Sequence, residues 1–460
     1  MIPRGGGWFA LALAVALAAG ACSGSPKAGP PSPARSQSPV PASTTSSGTD
    51  WTTYHHDPAR TGVATGVPPV GKLATVWKAR LDGAVYGQPL VVGSTVVAAT
   101  ERNSVYGLDR ATGRVLWQRR VATPVSLGDL RCGGIDPLGI TGTPVYDPDS
   151  REVFVVAETT GFRHVLYGLS VTDGSVRLTR DIPAPDGDAR DDQQRPGLTL
   201  VDDRIYVAFG GLLGDCGRYA GSVVSVPVSG QGTLGSWKVP TRREGGIWGT
   251  GGATLGPGGQ LYVTVGNGEA SSGPFDGSDS VTALTPGMAR SAYFAPSTWA
   301  DDNAADLDLG SMSPAVVGLD RVLSVGKRGV GYLLRAPELG GIGGQVAEGK
   351  VCAAFGGPSV DGTTVYVPCG SGGTAAVSTA GDRLRVLWRG PSAANGSPVV
   401  GGGAVWTVAD SGTLFALDPA NGSVRARIGV EPLPHFSSPT LSGNLVLLGT
   451  LRGVEAVSGA

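Results

Sequence analysis

Residues 103–120 read NSVYGLDRATGRVLWQRR, and the interpretation of this stretch decides the fold. Val105 to Leu108 and Val115 to Arg119 are short β-prone runs. The Asp109 to Gly113 segment between them carries the residues of a tight turn, with Gly113 free to take a positive φ. Upstream, YGQPLVV ends a strand at Val92, Gly93-Ser94 turns the chain, and Thr95 to Thr100 returns. The unit is therefore a four-stranded antiparallel meander. A second copy of its later half stands at residues 412–428 as GTLFALDPANGSVRARI. The Pro that opens the first strand recurs near Pro89, Pro144, Pro196, Pro314, Pro358, Pro398 and Pro439, and WGTGGATL around Gly252 fills the wide gap. Eight units spaced by roughly 40 to 60 residues follow, a period that signals a propeller or solenoid.

A lone meander has two apolar faces and cannot bury both, so its siblings must stack around an axis. The expected fold is all-β: an eight-bladed β-propeller of four-stranded antiparallel blades. The last unit, GVEAVSGA, stops after its third strand, while ATVWKARL at 74–81 has the form of a fourth strand. The N-terminal strand around Val76 and Trp77 is thus expected to complete the final blade and close the ring without a free edge. Trp77, Trp117, Trp237 and Trp388 all fall on fourth strands and are expected to pack between blades.

The composition agrees: 75 Gly, 34 Pro and only 16% charged residues suit short strands and tight turns. A net charge of -1 offers no basic field, which argues against nucleic acid as a partner. Residues 1–21 have Arg4, an apolar stretch from Trp8 to Ala19 and small residues before Cys22, and read as an export signal. LAAGAC resembles a bacterial lipobox with Cys22 as the lipidated N-terminus; cleavage after Ala21 without lipidation is the alternative, and would make the protein secreted. The Ser/Pro/Gly-rich run 22–50 reads as a disordered tether. The expected location is extracytoplasmic, anchored to the outer face of the cell membrane through lipid on Cys22, with residues 51–460 forming a monomeric propeller.

Strand direction alternates within a blade, so the loops between second and third strands share a face with the blade-to-blade connections. Nearly every long or charged loop falls there, including Glu101, Arg102 and Asn103, Glu158, Asp215, Asn267 and Glu269, Lys327 and Arg328, and Asp410. Convergent polar groups at a channel mouth make this face the candidate binding surface, for a protein or glycan of unknown identity. Its long connections are residues 122–141, 183–195 and 291–312. Cys132 and Cys216 fall on this face and are expected to form a bridge, and Cys352 and Cys369 to form a cross-strand one. DDNAADLDLG, 301–310, is oxygen-rich as calcium loops are, without EF-hand spacing. The four histidines share no metal-ligand spacing, and no G-x-S-x-G elbow, P-loop or dinucleotide fingerprint stands in its required context.

The opening WTTYHHDPARTG at 51–62, the blades SVYGLDRATGRVLW and TLFALDPANGSV, and GKRGVGYLL at 326–334 resemble the quinoprotein alcohol dehydrogenase-like, pyrroloquinoline quinone repeat, propeller family. The resemblance covers residues 51–460. Some members bind pyrroloquinoline quinone with calcium and oxidise alcohols or sugars; others, such as the lipoprotein of the outer-membrane barrel assembly machinery, bind no cofactor. In the enzymes a Glu after a second strand and an Asn hold calcium and an Asp acts as base. The matching positions are Glu158 in VVAETTG, Asn267 in VGNG and Asp308 in DLDLG. Asp308 would serve as both metal ligand and catalytic base, and Lys327 or Arg328 in GKRG would contact the quinone. The chain lacks the adjacent cysteine pair that caps the quinone in many of these dehydrogenases, and has no C-x-x-C-H haem motif. The leading expectation is therefore a non-catalytic binding or scaffold propeller of the cell envelope with no cofactor. The rival is a calcium- and pyrroloquinoline quinone-dependent alcohol or sugar dehydrogenase.

Overall fold

The computed structural model describes residues 49–185 and 188–459. The expected signal peptide, the expected lipidation site Cys22 and the expected tether up to residue 48 lie outside the described residues. Eight sheets make eight blades, each a four-stranded antiparallel meander opening on a short, mostly buried inner strand: Leu90–Val92, Val145–Asp147, Thr199–Val201, Thr254–Leu255, Ala315–Val317, Ser359–Asp361, Val399–Gly401 and Thr440–Ser442. The expected starts of all eight units are thus the observed ones. Within a blade, exposure rises outward. In blade 1 the strand Ser104–Asp109 is buried almost throughout, whereas in the outer strand Val115–Arg120 only Trp117 is buried.

The ring closes as the sequence requires. Ala74–Arg80 pairs antiparallel with Gly453–Ser458, from Ala74 opposite Ser458 to Arg80 opposite Gly453, and supplies the outer strand of blade 8. Each chain end thereby satisfies the backbone groups of the other.

The quoted turn explains how blades fasten to one another. The Asp109 Oδ1 accepts the Thr112 N–H at 3.0 Å, and the Gly113 N–H donates to the Asp109 carbonyl at 2.8 Å. The Trp77 ring of the preceding blade lies on Gly113, where a Cβ would come within 2.5 Å of it, and its indole N–H donates to the Arg110 carbonyl at 3.0 Å. Trp117 repeats this on Gly174 and Val171 O, and Trp388 on Gly422 and Pro419 O. The glycine is needed twice over, for a positive φ and for the space the indole fills. Trp237, with no such seat, is only partly buried, against the cluster containing Tyr206 and Met288.

Two departures from expectation are local. Residues 291–312 are not one long loop: Arg290–Ala295 is the outer strand of blade 4, and Trp299–Ala304 a short helix with Asp301 and Asp302 in its first turn. Buried Phe294 and Ala295 draw the first part into the sheet. Both expected disulfides form: Cys132–Cys216 bridges two loops at the mouth, and Cys352–Cys369 joins the connection before blade 6 to the end of that blade's second strand, where two strands of a hairpin were expected.

Candidate functional site

The opening segment 51–62 crosses the channel and straps the inner strands together. Its backbone bonds to Val91, Tyr146, Leu255, Val360 and Val400, from five different blades. Buried Arg60 donates all five of its side-chain hydrogens, to Thr53 Oγ1, Tyr54 O, Leu198 O, Thr199 Oγ1 and Gly251 O at 2.6 to 3.0 Å. His55 is buried and its pKa is lowered to about 3 by desolvation, so its ring is neutral. The Pro358 carbonyl 3.0 Å from Nδ1 can only accept, which fixes the proton there and leaves Nε2 to accept from Ser438 Oγ at 2.9 Å. This motif is thus a polar plug.

Above the plug, on the face of long loops, lies a cavity of roughly 200 Å³. Its walls are Trp248, Phe355 and Phe436, with Leu212 and Leu213 on one side and Asp308, Ser311 and Lys327 on another. A smaller recess reaches down to Tyr54 and shares Arg195, Thr250 and Phe436 with the main chamber. Glycines make the approach possible. A Cβ on Gly266 would stand 2.3 Å from Asp308 Oδ1 and 2.6 Å from the Trp248 indole nitrogen, and one on Gly246 would stand 2.6 Å from the same ring. The Cys132–Cys216 bridge backs the lip, since Gly214 lies against Cys132.

Of the residues singled out in the sequence, Asn267, Asp308 and Lys327 come together. Asp308 is 4% exposed; its Oδ1 accepts the Asn267 backbone N–H at 3.0 Å, and its Oδ2 lies 3.0 Å from Lys327 Nζ. The same ammonium reaches Asp306 Oδ1 at 2.7 Å. Burial pulls on the Lys327 ammonium, but Asp308 and Asp306 outweigh it and hold its pKa above the ordinary value. Behind the pair, fully buried Asp279 is pushed up to about 8, first by burial and then by the Asp308 charge, and so carries its proton at neutral pH. Arg328 points elsewhere and pairs with Asp302. Three of the four carboxylates of 301–310, Asp302, Asp306 and Asp308, are thereby shared out to Lys327 and Arg328.

Glu158 is engaged in a different cluster. Its Oε1 accepts the Gln194 N–H at 2.9 Å and lies 3.5 Å from His164 Nε2, next to Glu101, which accepts the Gly139 N–H at 2.8 Å. Burial and the Glu158 charge push Glu101 up to about 8 despite that bond. Glu158 does not line the cavity. A divalent cation on Asp308 would have to displace Lys327, and Glu158 would have to leave Gln194 and His164. Among the described residues no group of three or more His, Cys, Asp or Glu side chains is placed to hold a metal. The donor set does not fit a calcium-held quinone.

Arg195, Trp248, Thr250, Phe355 and Phe436 escaped the sequence reading. All stand in blade-to-blade connections, the class of loop that the strand-direction argument assigns to this face, and Trp248 and Arg195 adjoin blade openings already recognised.

The family comparison reflects the repeat. A family described as outer membrane protein assembly factor BamB matches residues 71–268 and 341–427, more than half of the chain. The stretch between, which carries Asp308 and Lys327, falls outside the match. No curated protein sequence matches the chain. Among solved structures, quinohemoprotein alcohol dehydrogenase from Comamonas testosteroni superposes with a TM-score of 0.68 at 14% identity, over 89% of this chain and 80% of that one. A europium-containing methanol dehydrogenase gives 0.65 at 14%, over 90% and 98%. BamB from Moraxella catarrhalis gives 0.55 at 16%, over 84% and 97%. At these identities the structural likeness is one of fold alone. Eight closed blades, the recurring turn and the matched repeats together make this chain a member of the pyrroloquinoline quinone-repeat propeller family described as outer membrane protein assembly factor BamB.

Proposed function

We propose that this chain is a lipid-anchored propeller of the cell envelope that recognises a ligand or partner at its long-loop face and performs no redox chemistry. The observation that carries the reading is the Asp308–Lys327 ion pair. The carboxylate that the dehydrogenase reading needs as base and metal ligand is already neutralised by a lysine of its own chain, and Glu158 is committed to Gln194 and His164. The lipobox and the tether support anchoring, since a spacer serves a fixed end. The similarity to BamB of Moraxella catarrhalis supports a scaffold role, and the similarity to the two alcohol dehydrogenases supports the rival, a calcium- and quinone-dependent alcohol or sugar dehydrogenase.

Two measurements in cells test the reading. Replacing Cys22 by Ser should move the protein from the membrane fraction to the medium; an unchanged membrane fraction counts against lipid anchoring. A photo-crosslinker at Leu213, 68% exposed on the cavity lip, should capture a defined partner or ligand. The same group at Leu319, 86% exposed on the opposite face, should not; equal capture at both would remove the assignment to the long-loop face.

A further inference from the structure

Two arginines lie near the axis and their surroundings are opposites. Arg60 has every donor satisfied by protein oxygens. Among the described residues the Arg195 guanidinium donates no hydrogen bond; its one side-chain contact of note is the Phe436 ring, 4.5 Å from the guanidinium carbon. It stands at the waist where the upper chamber meets the lower recess. The backbone on either side is tied down: the Gln194 N–H is bonded to Glu158 and the Gly197 N–H to the Thr250 carbonyl at 2.7 Å. Pro196 further restricts Arg195 to extended backbone. The guanidinium is therefore presented to the cavity by a fixed frame.

Among the described residues no carboxylate forms an ion pair with it. Burial lowers the Arg195 pKa, with only the nearby Tyr86 and Glu101 pulling the other way. Glu101 directs one oxygen to Gly139 and, with its pKa pushed up to about 8, keeps its proton at neutral pH. A half-buried guanidinium whose donors meet no protein acceptor is open to a partner of opposite sign. A carboxylate is the group whose two oxygens match the guanidinium fork. Beside Asp308 and its partner Lys327, the chamber offers the rings of Trp248, Phe355 and Phe436 and the side chains of Leu212 and Leu213, which suit an organic body more than a bare inorganic anion.

We infer that the axial cavity binds a small organic acid, with its carboxylate on Arg195 and its apolar body against Phe355, Phe436 and Trp248. This deepens the recognition reading and rests on it. Binding is independent of metal, because Arg195 supplies the positive charge.

The test uses the full chain in chelator, with phenylacetate, phenylacetamide and inorganic phosphate as probes, followed by calorimetry and by indole fluorescence, since Trp248 lines the chamber. Phenylacetate should bind and alter the fluorescence, and the isosteric amide should bind on the order of tenfold to a hundredfold more weakly. Arg195→Gln should lose a similar factor, Arg195→Lys less, and Arg385→Gln, on the exposed outer strand of blade 6, nothing. Should Arg195→Gln fail to fold, the acid-to-amide ratio on the unaltered protein decides alone. Equal binding of acid and amide, competition by phosphate as strong as by phenylacetate, or no binding of any probe overturns the inference. None of these outcomes bears on redox activity, whose test with quinone and calcium is separate.

Discussion

The Glu101 carboxyl should make the fold weaken as pH rises, and the size of the effect follows from its surroundings. Glu101 is 2% exposed; one oxygen accepts the Gly139 N–H and the other is buried without a hydrogen bond. Burial first, and the Glu158 charge as well, raise its pKa from 4.5 to about 8. A folded-state value above the unfolded one means that the contribution of this group is complete below about pH 4.5 and is lost as pH climbs toward 8. At about 1.4 kcal/mol per pH unit, keeping Glu101 in the fold costs about 3 kcal/mol at pH 7 and about 5 kcal/mol above pH 8. Glu101→Gln keeps an acceptor for Gly139 and removes the ionisation. Thermal unfolding of parent and variant, followed from pH 5 to pH 9, should give similar Tm values at the acid end and a growing advantage for the variant from pH 6 upward. Parallel curves across this range would refute the assignment of a buried, proton-bearing carboxyl to this position.

Trp117→Ala should destabilise by about 3 to 5 kcal/mol, because it empties the seat on Gly174 and strands the Val171 carbonyl; chemical denaturation measures it. Lys327→Gln should cost about 3 kcal/mol by leaving buried Asp308 without a counter-charge, and adding Asp308→Asn should recover most of that in a double-mutant cycle. Opening Cys132–Cys216, which spans 84 residues, should destabilise by about 4 to 5 kcal/mol, and opening Cys352–Cys369, which spans 17, by about 3 kcal/mol, when single Cys→Ser variants are compared under oxidising conditions. Deleting residues 51–62 should collapse the channel floor and lower Tm markedly, since the plug bonds to five blades.

The fold was legible because a propeller repeats its evidence. Pro-led inner strands recur in blade after blade and the Asp-x-x-x-Gly turn of 109–113 returns at 418–422, so that weak local signals reinforce one another, and strand counting alone placed Ala74–Arg80 in the last blade. The same counting put Asp308 and Lys327 on the mouth face. Sequence could not show that these two groups bond to each other, nor that Glu158 turns to Gln194 and His164, because partner choice among loop side chains depends on distances set by blades far apart in the chain. Arg195 was hidden for the opposite reason. An arginine before a proline looks like an ordinary loop residue, and only the folded ring shows that among the described residues its guanidinium meets the Phe436 ring and no hydrogen-bond acceptor.

The most direct measurement of the central claim is titration of the full chain with pyrroloquinoline quinone, in calcium and then in chelator, read by visible absorbance and by dye reduction with a panel of alcohols and sugars. The account predicts no calcium-dependent saturable binding and no dye reduction, because Lys327 occupies the Asp308 carboxylate. Calcium-dependent binding with substrate-driven reduction would contradict it, and would make Asp308 the base of a dehydrogenase.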